Sequence, residues 1–170
     1  IAGVAAAVAA AREGKSVLLV ERSGCLGGLA TNGHVSPFDA TADRKNRSFG
    51  GIAQEILNAM DSAQESYGVP TSIIKREGPH LFKWVLLNLA VNSGVKILFH
   101  ANLLDAFVEN NIIKYAIVST KSGIRAISAK VFVDATGDAD LVYLSGEEFV
   151  IGSEKNTDDI LKATGYNKMH

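Results

Sequence analysis

A chain of 170 residues, 47% hydrophobic and 21% charged, has the length and apolar content for one globular domain with a sizeable core. Its formal net charge of −1 excludes a chain-wide basic surface of the kind that recruits nucleic acid or an acidic membrane face. A single cysteine excludes an intrachain disulfide framework, cannot supply the thiolates of an iron–sulfur cluster, and agrees with a reducing, cytoplasmic setting.

The chain opens on Ile1, in the middle of an element, and residues 3–13 read as a helix because most of them are Ala, the best helix former. The stretch lacks the basic start of a signal peptide and ends on Arg12 and Glu13, and no apolar run in the chain is long enough to span a bilayer. Gly14 follows as a C-terminal cap with Lys15 beside it. Residues 16–20 are a continuous apolar run closed by Glu21 and Arg22, the pattern of a strand buried on both faces of a parallel sheet. Residues 23–50 carry Gly24, Gly27, Gly28, Gly33 and Gly50 with little periodicity and predict a functional loop, with room for one short helix. A second helix is expected over 51–66, with Ile52, Ile56 and Met60 on one face, and an irregular segment or short edge strand over 69–78.

Pro79 suits the first turn of a third helix whose apolar stripe is Phe82, Val85, Leu86 and Leu89, and Gly94 ends it. Residues 95–99 are the next strand. Three short strands follow, over 103–109, 112–119 and 124–129, separated by Asn110-Asn111 and by Lys121-Ser122-Gly123, both good turn sequences. A last apolar strand, Val131-Phe132-Val133, runs into Asp134-Ala135-Thr136-Gly137-Asp138, and the tail over 153–170 is polar and irregular. The sum is an α/β fold: a Rossmann-like nucleotide-binding domain over 1–152, a parallel sheet with flanking helices and an inserted β-meander, lacking its first strand.

Three constellations carry chemistry. The first is the end of a dinucleotide fingerprint, whose last glycine is Gly3 in Ile1-Ala2-Gly3-Val4-Ala5, where a glycine lets the helix pack closely on the sheet. The N-terminus of that helix offers free N–H groups and partial positive charge to a pyrophosphate. Glu21, at about the twenty-residue spacing expected of a ribose-binding acid, closes the second strand. The second is Gly24-Cys25-Leu26-Gly27-Gly28-Leu29-Ala30-Thr31, whose paired glycines let backbone approach a ligand. The third is the Asp134–Asp138 turn, placed where open α/β sheets bind ligands. Each has a plainer reading as well: a structural helix–strand pair, a surface turn, and a strand stopped by turn residues.

In this order and spacing, the three motifs resemble the FAD-dependent oxidoreductases with a glutathione-reductase-like Rossmann fold. They look most like the branch that includes the flavin subunit of heterodisulfide reductase. The resemblance implies FAD as cofactor, with Gly3 by its pyrophosphate and Glu21 on the adenosine ribose, Arg22 beside it. It implies that Leu26, Gly27, Gly28, Ala30 and Thr31 line the path toward the flavin, and that Leu104 touches the adenine through backbone. Thr136, Gly137 and Asp138 would close over the dinucleotide from the other side. An iron–sulfur cluster would be held only by segments of longer relatives. The expected partners are a small-molecule substrate or redox partner, and an oligomer or partner subunit is compatible with the unpaired strand edges.

No residue reads as catalytic acid, base or nucleophile, and no metal-ligand spacing is visible. Cys25 lacks the second cysteine that disulfide reductases of this fold use, and His34 lacks a supporting neighbour. His80 and His100 read as surface or packing residues, Trp84 as packing, and the cluster Asp39, Asp43, Arg44, Lys45 and Arg47 as a solvated segment. Two alternatives stay open: an NAD(P)-binding Rossmann domain, and a non-catalytic truncated flavoprotein remnant that folds with a partner.

Overall fold

A computed structural model describes residues 1–35, 50–66 and 78–149. Helix α1 spans Ala2–Arg12 and strand β1 Leu18–Val20; α2 spans Gly51–Ser66, α3 Pro79–Asn92 and β2 Lys96–Leu98. Then come β3 (Asn102–Glu109), β4 (Ile112–Thr120), β5 (Gly123–Ile127) and the short α4 (Asp140–Leu144). The charge cluster at 39–47, most of the 69–78 segment and the tail at 153–170 lie outside the described residues.

Helices α1 and α3 end alike. Gly14 and Gly94 each take a left-handed backbone, at φ +73° and +81°. Each is followed by an amide that reaches back into the last turn: Lys15 to Ala10 O at 3.1 Å and Val95 to Ala90 O at 3.1 Å. Two helix-then-strand units result, and their strands pair in parallel with Leu18 opposite Lys96, Leu19 opposite Ile97 and Val20 opposite Leu98. The apolar faces of α1, α2 and α3 meet in one core. Val4, Ala7 and Val8 pack there with Ile56 and Met60, with Phe82, Val85 and Leu86, and with Leu26 and Ala30 from the glycine loop. A bidentate pair, Arg12 to Glu55 with both N–O distances 2.7 Å, ties α1 to α2. Both side chains are exposed, so solvent screens the pair and it adds little to stability.

The meander forms as its turn residues dictate. Asn110 and Asn111 sit at φ +52° and +60°, the backbone of a two-residue hairpin turn whose twist matches its strands. Strands β3, β4 and β5 form an antiparallel sheet in that order, with irregularities in register between Leu103 and Asp105 and between Phe107 and Val108. This mixed architecture, a parallel strand pair with helices and a separate antiparallel sheet, is a Rossmann-like α/β fold.

Three expectations change, two of them for one reason. Strand β1 is shorter than its apolar run, and Val131–Val133 forms no ladder at all. The reason is common to both. Strand β1 pairs with β2 on one edge, and among the described residues no strand lies on its other edge or beside Val131–Val133. Val131 and Val133 are consequently 76% and 66% exposed. The other correction is Trp84. It is not core packing: α3 buries Phe82, Val85, Leu86 and Ala90, and Trp84 lies off that face, 49% exposed, in a groove of about 270 Å³ with Leu87, Lys83 and Phe99.

Candidate cofactor-binding site

Gly3 is where the first and third motifs meet. A Cβ built on Gly3 would lie 3.1 Å from the Cβ of Ala135 and 3.5 Å from Cδ1 of Leu19. The first turn of α1 therefore packs directly on the Asp134–Asp138 turn and on β1, and a side chain there would press on Ala135. Ile1 makes no side-chain cap to α1, and its first turn holds no acid, so its amides and partial positive charge are not offset by a nearby carboxylate of that turn.

Beyond β1 the chain is pinned to the end of β2 and to the residues that follow it. Glu21 N–H donates to Leu98 O at 2.9 Å, Ala101 N–H to Glu21 O at 3.0 Å and His100 N–H to Ser23 O at 3.2 Å. The Glu21 carboxylate is held by a neighbour: its Oε1 accepts from Ser23 N–H at 2.8 Å and from Ser23 Oγ at 2.7 Å. Asn32 Nδ2 donates to Ser23 Oγ at 2.9 Å, and the Cys25 thiol lies 2.9 Å from Asn32 Oδ1. Leu104 sits at the β3 irregularity, exposed and three residues past the Ala101 that bonds Glu21.

The glycine loop turns on Gly27 and Thr31. Thr31 is fully buried, and its hydroxyl donates to Leu26 O at 2.7 Å. Residues Gly28–Ala30 form one turn of 3₁₀-helix, the short helix that the loop had room for. Leu26, Ala30 and Thr31 have their side chains in the protein interior, so these three can face a ligand only through backbone. Gly28 is exposed, with nothing within 4 Å of a built Cβ.

The Asp134 carboxylate organises the third motif. Oδ1 accepts from Thr136 N–H at 2.9 Å and Thr136 Oγ at 2.7 Å, and Oδ2 accepts from Val142 N–H at 3.0 Å. Asp140 N–H in turn donates to Thr136 Oγ1 at 2.8 Å. Partial burial pushes this carboxyl up, but the hydroxyl and amide of Thr136 with the amides of Val142 and Leu141 outweigh it and hold it below the ordinary aspartate value. The turn leaves Ala139 in the left-handed region at φ +59°. That conformation costs an L-residue about 1 kcal/mol, so Ala139→Gly is expected to raise unfolding free energy by about 0.5–1 kcal/mol in urea titration. An unchanged or lower value would show that Ala139 is unstrained.

Of the residues singled out in the sequence, Gly3, Glu21, Arg22, Gly28, Thr136, Gly137 and Asp138 lie on accessible backbone or surface; Leu26, Gly27, Ala30 and Thr31 form the buried side of the loop. His34 and His100 are exposed, both with positive φ, and His80 is exposed on the first turn of α3. Among the described residues no group of three or more His, Cys, Asp or Glu could hold a metal ion, and no helix is long and apolar enough to cross a membrane. Sequence reading missed Ser23 and Asn32. A short hydroxyl two residues after the acid is a signal for Ser23; Asn32 carries none, because its contact depends on how the loop returns.

Residues 1–165 match the family described as FAD dependent oxidoreductase. The chain belongs to this family. No curated protein matches it. Membership in the FAD-dependent oxidoreductases implies FAD binding and oxidoreductase chemistry, and favours FAD over a nicotinamide dinucleotide. The residues present fit such a group: an acid at a strand end, a helix N-terminus that Ile1 does not cap through its side chain, and open glycines at 28 and 137.

Proposed function

We propose that residues 1–152 hold FAD for electron or hydride transfer in an oxidoreductase of the branch that includes the heterodisulfide reductase flavin subunit. The observation that carries this reading is the contact at Gly3, which brings the helix N-terminus, β1 and the Asp134–Asp138 turn to one place. Glu21 would accept the ribose hydroxyls, with Arg22 beside it. The α1 amides by Gly3 would take the pyrophosphate. The backbone from Leu26 to Thr31, and Gly28 above all, would line the way to the flavin; Leu104 would meet the adenine through backbone, and Thr136, Gly137 and Asp138 would close the far side. Bound FAD supplies the redox chemistry, and the chain supplies binding, orientation and electrostatics. The Cys25-to-Thr31 run and its place after Glu21-Arg22 support the branch.

The test is the absorption spectrum of the purified protein, with any flavin released by denaturation and identified. FAD should be found or taken up, and Glu21→Ala should weaken its binding by about ten-fold, or ~1.4 kcal/mol, without lowering the melting temperature of the flavin-free chain. A colourless protein that ignores added FAD and binds NAD would overturn the reading.

A further inference from the structure

We infer that Ser23 and Asn32 are positioning residues for the adenosine end of the dinucleotide: they select which Glu21 oxygen meets the ribose. The inference rests on the assignment of Glu21 to that ribose.

A carboxylate has two oxygens and about four lone-pair sites. Both donors of Ser23, its amide at 2.8 Å and its hydroxyl at 2.7 Å, converge on the same oxygen, Oε1. Among the described residues no hydrogen bond falls on Oε2. The carboxylate is thus fixed in orientation, and one oxygen with two lone pairs is left for the two hydroxyls of a ribose diol. Fixing the acceptor before the ligand arrives removes an ordering cost from binding.

Asn32 controls Ser23. A hydroxyl has one hydrogen, and Ser23 Oγ has two acceptors in reach, Glu21 Oε1 at 2.7 Å and Cys25 O at 2.8 Å. Asn32 Nδ2 donates into Ser23 Oγ at 2.9 Å, which occupies a lone pair and leaves the hydrogen to be aimed. The ionised carboxylate is the stronger acceptor. The Cys25 thiol, 2.9 Å from Asn32 Oδ1, sets which end of the amide faces Ser23. Asn32 is itself anchored, its amide N–H donating to Gly28 O at 2.8 Å. An unbroken chain of hydrogen bonds then runs from the glycine turn through Asn32 and Ser23 to Glu21, so the loop proposed for the flavin side and the acid proposed for the ribose are positioned together.

The test measures calorimetric binding of ADP and of 2′,3′-dideoxy-ADP to the flavin-free chain, with melting temperatures in parallel. The wild type is expected to prefer ADP by about ten-fold. Ser23→Ala should cut that preference to about two-fold, Ser23→Thr should restore it, and Asn32→Ala should give an intermediate value. An undiminished ten-fold preference in Ser23→Ala overturns the inference and leaves Glu21 in place. Equal weakening of both nucleotides with a lowered melting temperature also overturns it, since that is a general structural loss. No preference in the wild type, together with an unaffected Glu21→Ala, overturns the ribose assignment first and this inference with it.

Discussion

Gly27→Ala is expected to cost about 3 kcal/mol or more of unfolding free energy and to abolish flavin retention. A Cβ at Gly27 would lie 2.5 Å from Thr31 Cγ2, 2.7 Å from Thr31 Oγ1 and 2.9 Å from Leu86 Cδ1. Something must shift to admit it, and the neighbours are packed against that. Thr31 is held by its bond to Leu26 O, and Leu86 is fully buried in the core shared by α1, α2 and α3. Overpacking of this kind costs about 1–3 kcal/mol, and the left-handed backbone at φ +113° adds about 1–2 kcal/mol for any residue with a Cβ. The neighbouring glycine is the control. Gly28 also has positive φ, but its Cβ would meet nothing within 4 Å, so Gly28→Ala should cost only about 1 kcal/mol. Urea midpoints of the two variants decide the matter: equal midpoints would mean that the loop repacks freely and is not anchored in the core.

That comparison also shows where sequence reading reaches its limit. Adjacent glycines look equivalent in the sequence, and only the return of Thr31 beneath the loop separates them. Elements whose pattern is local were legible. Helix α2 follows from the 3.6-residue spacing of Ile52, Ile56 and Met60, and its bounds agree with those expected. The meander follows from its turn residues, whose positive φ at Asn110, Asn111 and Gly123 is what those residue types tolerate. Val131–Val133 was misread because an apolar run states a propensity, whereas a strand requires a neighbour to complete its ladder. Trp84 was misread for a related reason: residue type favours burial, but the face of α3 that meets the core is set by Phe82, Val85 and Leu86, and Trp84 falls outside it. The three site motifs could be named individually. The meeting of Gly3 with Ala135, and the bond from Asn32 to Ser23, arise from how separate segments return on one another.

The Asp134–Asp138 turn carries the other large expected effect. Asp134→Ala should destabilise the protein by about 2 kcal/mol at neutral pH, because the carboxylate caps the start of α4 and receives charge-assisted bonds from Thr136. Its pH dependence has a definite sign. The folded state holds this carboxyl below its ordinary value, so the unfolded chain binds the proton more readily. The stabilisation is complete above the unfolded value, near pH 4, and is lost as pH falls below that toward the folded value. The difference in unfolding free energy between wild type and Asp134→Ala should therefore be constant from about pH 5 to 7 and shrink below about pH 4. A gap that keeps its size at pH 3 would show that the charge of Asp134 is not what holds the turn. Flavin binding separates the two roles of this segment. Asp134→Ala frees Thr136 and slackens the backbone proposed to close over the dinucleotide, whereas Ala139→Gly relieves strain and keeps every bond to Asp134. If the turn meets FAD, the first substitution should weaken its binding and the second should leave it near the wild-type value; weakening by both would assign the effect to backbone freedom at residue 139 as well as to the carboxylate.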